Sequence, residues 1–151
     1  MPGNEKKEEV SLTGNQMAEI VRQEKLKAKE LSRQASQMRA IINEINGSIQ
    51  AVKEIQGKKD LQIIVHLGAG ISIDAKIESS EKIKTTIPGN IIVEKTPKEA
   101  IEMLESQANA VKKEVELLKN ELSQSSNKIR EFSKIMKLAQ NQFSRSKPQS
   151  K

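Results

Sequence analysis

The chain has 151 residues and a formal net charge of +6, from 26 Lys and Arg against 20 Asp and Glu. Hydrophobic residues make up 35% of it, and it has two Phe but no Trp, Tyr or Cys. The apolar fraction lies below the roughly 45–50% of ordinary globular domains, so a compact core of large side chains is not expected. The length predicts one domain, and the composition leaves either disorder or a long helical structure buried along a narrow seam. Without Cys, the chain has no disulfide framework, thiol nucleophile or Cys-based zinc site.

The sequence predicts a protein that neither spans a membrane nor is secreted. No apolar run approaches the roughly 18 residues that a membrane span needs. The first seven residues are not followed by the apolar segment of a secretory signal. Residues 1–14 are polar and contain Pro2, Gly3 and Gly14, which predicts a flexible arm. We therefore expect a soluble, cytoplasmic protein without a membrane partner.

A heptad repeat runs from residue 17 to residue 52. Alternating steps of four and three residues connect eleven positions, of which ten are apolar. These seam positions are Met17, Val21, Glu24, Ala28, Leu31, Ala35, Met38, Ile42, Ile45, Ile49 and Val52. A sustained heptad indicates a left-handed coiled coil, since an ordinary amphipathic helix drifts by about 20° per heptad. We predict a helix over residues 15–57 that ends at Gly57 and needs a partner along its length.

Residues 58–95 change to an alternating pattern, which predicts four short strands in two hairpins. The first hairpin pairs residues 61–66 with residues 71–77, and the second pairs residues 83–87 with residues 91–94. A lone hairpin is marginally stable in water, and its edges are open to pairing. We therefore predict that this β module assembles with the same segment of other chains. Its predicted assembly residues are Ile63, Val65, Ile71, Ile73, Ala75, Ile77, Ile83, Ile87, Ile91 and Val93.

A second heptad helix follows the β module. Thr96 can cap it, Pro97 takes its first position and Glu99 completes a capping box. Twelve of its thirteen seam positions are apolar. They are Ile101, Leu104, Ala108, Val111, Val115, Leu118, Leu122, Ser125, Ile129, Phe132, Met136, Ala139 and Phe143. We predict a helix over residues 96–144 and a basic flexible tail over residues 145–151. The predicted fold is mainly α, a long antiparallel coiled-coil hairpin with a central four-stranded, two-hairpin β module.

A family resemblance lies in residues 61–77, which contain a Gly68-Ala69-Gly70 turn, and in residues 91–96, which lead into the second helix. Flanked by heptads, these segments resemble the α-class subunit of archaeal prefoldin, and the resemblance covers residues 15–145. It implies an ATP-independent holdase chaperone without a cofactor. It also implies a hexamer of two α and four β subunits, joined through intersubunit β barrels. The coiled-coil tips would hold non-native polypeptides and deliver them to a group II chaperonin.

Apolar residues lie at the predicted open end of the coiled coil. With closure near residues 56 and 98, facing positions sum to about 154, which puts Glu24 opposite about residue 130. Small residues of the first helix then face large ones of the second, and Phe143 lies beyond the start of the first helix. The residues predicted to contact unfolded polypeptide are Met17, Ile20, Val21, Phe132, Ile135, Met136, Ala139 and Phe143. The alternative is that they form an ordinary coiled-coil core.

The sequence contains no constellation typical of catalysis or metal binding. His66 is the only histidine, so a metal site is not expected. The Gly68-Ala69-Gly70 turn leads into a strand and lacks the Gly-Lys-Ser/Thr ending of a phosphate loop. Carboxylate pairs such as Glu114 and Glu116 lie in charge-rich stretches, where no pocket would raise a pKa. We therefore expect no enzyme activity.

The basic charge raises two other possible functions. A sequence pI near 9.5 is typical of nucleic-acid binding, but the chain has no aromatic platform and no known nucleic-acid motif, so a nucleic-acid partner is not favoured. A structural coiled-coil tether would not need the β module. Five basic residues and no acidic residue follow residue 133, so the charge concentrates at the predicted tips. It either solubilises an apolar tip or attracts acidic clients or an acidic chaperonin rim.

Overall fold

The computed structural model describes residues 12–146 and consists of two long helices and two β hairpins. The elements are α1 (Gly14–Ile55), β1 (Lys59–Gly68), β2 (Ile71–Ser79), β3 (Ile83–Ile87), β4 (Ile91–Lys95) and α2 (Pro97–Arg145). The predicted fold class is confirmed. Residues 1–11 of the predicted arm and residues 147–151 of the predicted tail lie outside the described residues.

The chain divides into two compact units that share the two helices. The helix-pair unit comprises the residues up to Ala35 and those from Leu117 onward, and the hairpin unit comprises Ser36–Glu116. In the helix-pair unit, Glu24 of α1 contacts Ser125 of α2. In the hairpin unit, Ile49 of α1 and Ala108 of α2 line one shallow groove. Each unit therefore contains its own segment of the α1–α2 interface.

The predicted seams are the covered faces of both helices. All eleven seam positions of α1 and twelve of the thirteen on α2 are buried or half-buried. The buried apolar residues are Val21, Leu31 and Ala35 in the helix-pair unit, and Ile49, Ala100, Ala108 and Val115 in the hairpin unit. The remaining seam residue, Phe143, is 77% exposed. Burial along a narrow line thus replaces the compact core that the composition excludes.

Local capping sets the ends of α1. The Gln16 N–H donates to Thr13 Oγ1 at 3.3 Å, and Gln16 Oε1 accepts the Thr13 N–H at 2.8 Å. This reciprocal capping box starts the helix at Gly14, so the assignment of Gly14 to the flexible arm was wrong. At the other end, α1 stops at Ile55 and not at residue 57, because Gly57 adopts a φ of 74° that a helix cannot continue.

The predicted capping box at the start of α2 is present. The Glu99 N–H donates to Thr96 Oγ1 at 3.2 Å, and the Thr96 N–H donates to Glu99 Oε2 at 2.9 Å. The backbone hydrogen bond from Thr96, followed by its side-chain hydrogen bond, lowers the pKa of Glu99 below its usual value. Pro97 occupies the first helical position, where its missing N–H costs nothing.

The two hairpins are separate two-stranded sheets within the described part of the chain. In the β1–β2 hairpin, Ile63 lies opposite Ala75, and in the β3–β4 hairpin Thr85 lies opposite Val93. Ser80 lies in the connection between them, is 4% exposed, and donates its hydroxyl to the Lys58 carbonyl at 3.0 Å. That bond ties the connection between the hairpins to the residues that follow α1.

Candidate functional site

The apolar residues predicted to contact unfolded polypeptide differ widely in exposure. Val21 is 6% exposed and belongs to the core of the helix pair. The half-buried members are Met17, Ile20, Phe132, Met136 and Ala139. Ile135 is 48% exposed and Phe143 is 77% exposed. The eight residues therefore range from the buried core of the coiled coil to largely exposed side chains.

The end of α2 extends beyond the start of α1. Glu24 faces Ser125, and Gly14, the first residue of α1, lies ten residues earlier in the chain. In an antiparallel pair Gly14 then faces a position ten residues later on α2, at about residue 135. The last ten residues of α2, which include Met136 and Phe143, form an overhang with no α1 helix beside them. The high exposure of Phe143 follows from this mismatch in helix length.

A polar layer interrupts the seam of the helix-pair unit. Ser125 is 2% exposed, and its hydroxyl donates to Glu24 Oε2 at 2.6 Å. Lys128 Nζ lies 3.3 Å from Glu24 Oε1, and the Glu24 side chain is 15% exposed. The hydrogen bond from Ser125, and secondarily the interactions with Lys128, lower the pKa of Glu24. Glu24 is therefore a charged, satisfied group inside an otherwise apolar interface.

This polar layer corrects the predicted register. The expected partner of Glu24 was about residue 130, whereas the structure puts Glu24 against Ser125 and Lys128. The difference is smaller than one heptad. Its physical reason is that the partly buried carboxylate of Glu24 needs hydrogen-bonding and charged partners to replace water. Glu24 and Ser125 are the two positions that break the apolar pattern of the two seams, one on each helix. The presence of one polar residue in each seam is the sequence feature that indicates this register.

Besides Ile135, four exposed leucines of the helix-pair unit lie off the predicted seams. Leu117 is 64% exposed, Leu26 is 58% exposed, Leu138 is 57% exposed and Leu12 is 37% exposed. A count of seam positions cannot find them, because Leu26 and Leu138 occupy the outer faces of their helices. Leu138 lies three residues after Ile135, so the two share one side of α2 where the overhang begins.

The predicted assembly residues of the β module form one face on each hairpin. Ile63, Val65, Ala75 and Ile77 are half-buried on the first hairpin, and Ile83, Ile87 and Val93 on the second. Ile71, Ile73 and Ile91, which lie next to the turns, are 61%, 48% and 55% exposed. Each hairpin thus has an apolar face that its own chain covers only in part.

The opposite faces of the hairpins also carry apolar residues, which the sequence analysis did not single out. Ile64 lies opposite Asp74 and is 65% exposed, and Ile92 lies opposite Thr86 and is 65% exposed. Leu67, near the first turn, is 62% exposed. The run of adjacent apolar residues in β1 and β4 was the available signal, since a strand that alternates strictly has only one apolar face.

Outside the helix interface, the ion pairs and side-chain pairs of residues 12–146 are exposed. His66 Nδ1 lies 2.7 Å from Ser72 Oγ, across the first hairpin, in an exposed position. Among the described residues, no group of three or more His, Cys, Asp or Glu is placed to hold a metal ion. In the same residues, no helix is both long and apolar enough to cross a membrane.

These features define a class of protein: a two-helix coiled-coil subunit whose paired β hairpins present partly uncovered apolar faces. The family model for prefoldin subunits matches residues 25–142. The chain therefore belongs to the prefoldin family, and its curated relatives are archaeal α subunits, which makes it an α-class subunit of the archaeal type.

Two relatives and one solved structure illustrate the similarity. Prefoldin subunit alpha of Thermofilum pendens is 34% identical over 106 residues, which are 70% of this chain and 82% of the relative. Prefoldin subunit alpha of Methanococcoides burtonii is 32% identical over 98 residues, 64% of this chain and 71% of the relative. The cryo-EM structure of filamentous prefoldin from Methanocaldococcus jannaschii has a TM-score of 0.67 at 19% identity, and the match covers 75% of this chain and 94% of that one.

Membership of the family sets the general role of the chain. Prefoldin subunits are components of chaperones, so this chain has a chaperone-type role and assembles with other prefoldin subunits. At 19% identity, the likeness to the solved structure concerns the fold alone.

Proposed function

We propose that this chain holds non-native polypeptides at the end of its helix pair and keeps them from aggregating without ATP or another cofactor. It does so in the cytoplasm as part of a hexamer of two α and four β-class prefoldin subunits, and it delivers the held polypeptide to a group II chaperonin. The observation that carries the proposal is Phe143, a seam residue of α2 that is 77% exposed.

The overhang of α2 supplies the apolar surface for holding. Seam residues on the overhang keep the apolar character of the coiled coil, although α1 does not extend far enough to cover them. Phe143 and the half-buried Met136 are adaptable large side chains, and Met in particular fits irregular partners. Unfolded polypeptides expose scattered apolar groups, so a surface of this kind can bind them without sequence specificity.

The polar layer separates a well-buried part of the helix-pair unit from a more exposed apolar end. On one side of Glu24 and Ser125 lie Leu31 and Ala35, which are 7% and 4% exposed. On the other side, among the described residues, only Val21 is buried to that degree, and the other large apolar residues there are half-buried or exposed. A polar layer at a seam position fixes the register of a coiled coil at some cost in stability. The helices therefore stay aligned while the apolar end remains available.

The β hairpins support the proposed assembly. Their apolar faces combine half-buried residues such as Ile63 with exposed residues such as Ile73. An isolated pair of hairpins with such faces gains stability when a second β layer covers them. Hairpins of the other subunits would complete this layer as an intersubunit β barrel.

The proposal is tested by suppression of aggregation. The complex with a β-class subunit is mixed with a chemically denatured enzyme, and light scattering is followed for the natural chain, a chain that lacks residues 1–21 and 132–151, and the variant Ile135→Ser/Phe143→Ser. We expect both altered complexes to suppress aggregation less, while Leu26→Ser/Ile41→Ser, which also removes two exposed apolar side chains, retains it. Native mass must show the same subunit composition in every case.

Salt dependence separates apolar holding from charge-driven binding. Holding by the overhang should persist when NaCl is raised to about 1 M, whereas contacts with phosphates lose affinity steeply. Undiminished holding by the truncated complex, or its loss in high salt, would contradict the proposal.

A further inference from the structure

The outer face of α2 near its end carries an uneven distribution of charge. Arg130, Lys134, Lys137 and Arg145 are all exposed there, at heptad positions that point away from the seam. Glu131 is the one carboxylate among residues 130–145. This stretch of sixteen residues therefore has a formal net charge of +3.

Two arginines of α1 are paired with carboxylates of their own helix, whereas the cations of this face are not. On α1, the Arg22 guanidinium lies 2.8 Å from the Glu19 carboxylate, and Arg33 pairs in the same way with Glu30. Among the residues that the structure describes, none of the four cations on α2 forms an ion pair, although Glu131 lies only three residues before Lys134. The charge of this face is therefore available to an external anionic group.

An exposed aliphatic side chain lies among these cations. Leu138 is 57% exposed, and Lys134 and Arg145 lie four residues before and seven residues after it, on the same side of the helix. Ile135, which is 48% exposed, borders Leu138. Apolar centres with a charged border are typical of protein interfaces, where a buried anchor supplies binding energy and the border supplies specificity.

We propose that the outer face of α2 between Arg130 and Arg145 docks an acidic helical segment of another protein, with an aliphatic residue of that segment covering Leu138. Spacings of three, four and seven residues match the spacing of carboxylates on one face of a partner helix. This surface differs from the overhanging seam that holds unfolded polypeptide, so a partner can dock while that seam is occupied.

The composition of the face favours a protein over other anionic partners. Nucleic acid would place phosphates against Leu138 and Ile135 and would find no aromatic side chain to stack on. An anionic membrane would need a broad apolar face to insert, whereas this face offers two aliphatic residues. An acidic helix with one aliphatic anchor satisfies the cations and covers Leu138 together.

Fluorescence anisotropy with the full chain tests the proposal. The probe is a labelled helical peptide of about twenty residues with a central Leu flanked by Glu on the same face, and its counterpart has Gln at every Glu position. We expect Lys134→Gln/Lys137→Gln to weaken binding of the Glu peptide by about tenfold. Leu138→Ser should weaken it by about fivefold with an unchanged dependence on salt. The matched control Lys25→Gln/Lys29→Gln, which removes the same charge from α1, should stay within about twofold.

The outcomes that overturn the proposal are distinct from failure of the holding activity. Equal weakening by the α1 control, no effect of Leu138→Ser, or binding of the Gln peptide as tight as the Glu peptide would each contradict it. So would tighter binding to a DNA duplex or to phosphatidylserine vesicles than to the Glu peptide. Phe143→Ser, at a seam position outside this face, should lose holding and keep peptide binding within about threefold, whereas Lys134→Gln/Lys137→Gln should do the reverse.

Discussion

Phe143→Ser is expected to weaken the holding of unfolded polypeptide while leaving the folded chain almost as stable as before. Full burial of a Phe side chain is worth about 3 kcal/mol at most. Because Phe143 is 77% exposed, its contribution to folding stays below about 1 kcal/mol. Leu31 provides the contrast, since it is 7% exposed and Leu31→Ala should cost about 2–5 kcal/mol.

Two measurements on the same samples test this expectation. Unfolding followed by circular dichroism gives the stability of each variant, and light scattering with a chemically denatured enzyme gives the holding activity. Phe143→Ser should lose activity with a nearly unchanged unfolding midpoint, and Leu26→Ser, on the outer face of α1, should change neither. If Phe143→Ser destabilised the chain as much as Leu31→Ala, Phe143 would belong to a core. If it left holding unchanged, the overhang would not be the contact surface.

Three further predictions concern the polar layer, the helix cap and the β module. The folded-state pKa of Glu24 is lowered from 4.5, so the stability that its carboxylate contributes is present above pH 4.5 and is lost as the pH falls through the folded-state pKa. The difference in melting temperature between the natural chain and Glu24→Gln should therefore be larger at pH 7 than at pH 3. An equal difference at both pH values would contradict this. Thr96→Ala removes the cap of α2 and should cost about 1 kcal/mol in chemical unfolding, whereas an unchanged midpoint would mean that Pro97 and Glu99 suffice. Ile73→Asp places a charge on the apolar face of the first hairpin and should reduce the native mass of the co-expressed complex, with Asp74→Asn, on the opposite face, as the control that keeps it.

The periodicity of the sequence determines most of the helix architecture. Heptad spacing predicted which residues of α1 and α2 are covered, because in a coiled coil the covered face follows from the repeat alone. The capping box at Thr96 and Glu99 likewise predicted the start of α2 to within one residue. These features depend on residues close together in the chain, so local physics suffices to predict them.

Features that depend on contacts between distant residues could not be predicted in the same way. The register of the helix pair depends on Glu24 meeting Ser125, which are 101 residues apart. The exposure of Leu138 depends on how far α1 extends along α2, which the seam pattern of α2 alone does not give. The start of α1 at Gly14 is an exception, since the capping box formed by Thr13 and Gln16 is local. The sequence feature that indicates this register is the single polar residue in each seam, Glu24 and Ser125.

The β module shows a further limit of the alternating pattern. Strict alternation predicted one apolar face, with residues such as Ile63 and Ile73. It could not tell that Ile64 and Ile92 would be exposed on the other face, because a run of adjacent apolar residues is compatible with several environments. Which of these faces is covered depends on neighbouring subunits and therefore on residues outside this chain.

Site-specific photo-crosslinking in the assembled complex can show directly whether the end of α2 contacts unfolded polypeptide. A photoreactive benzoyl-phenylalanine is placed at Ile135, at Phe143 or at Ile41, and the complex is irradiated with a labelled, chemically denatured enzyme. Ile41 is a suitable control because it is an aliphatic residue with 42% exposure, close to the 48% of Ile135. We expect strong crosslinks to the unfolded enzyme from positions 143 and 135 and weak ones from position 41. Equal crosslinking from all three positions, or crosslinking from position 41 alone, would contradict it.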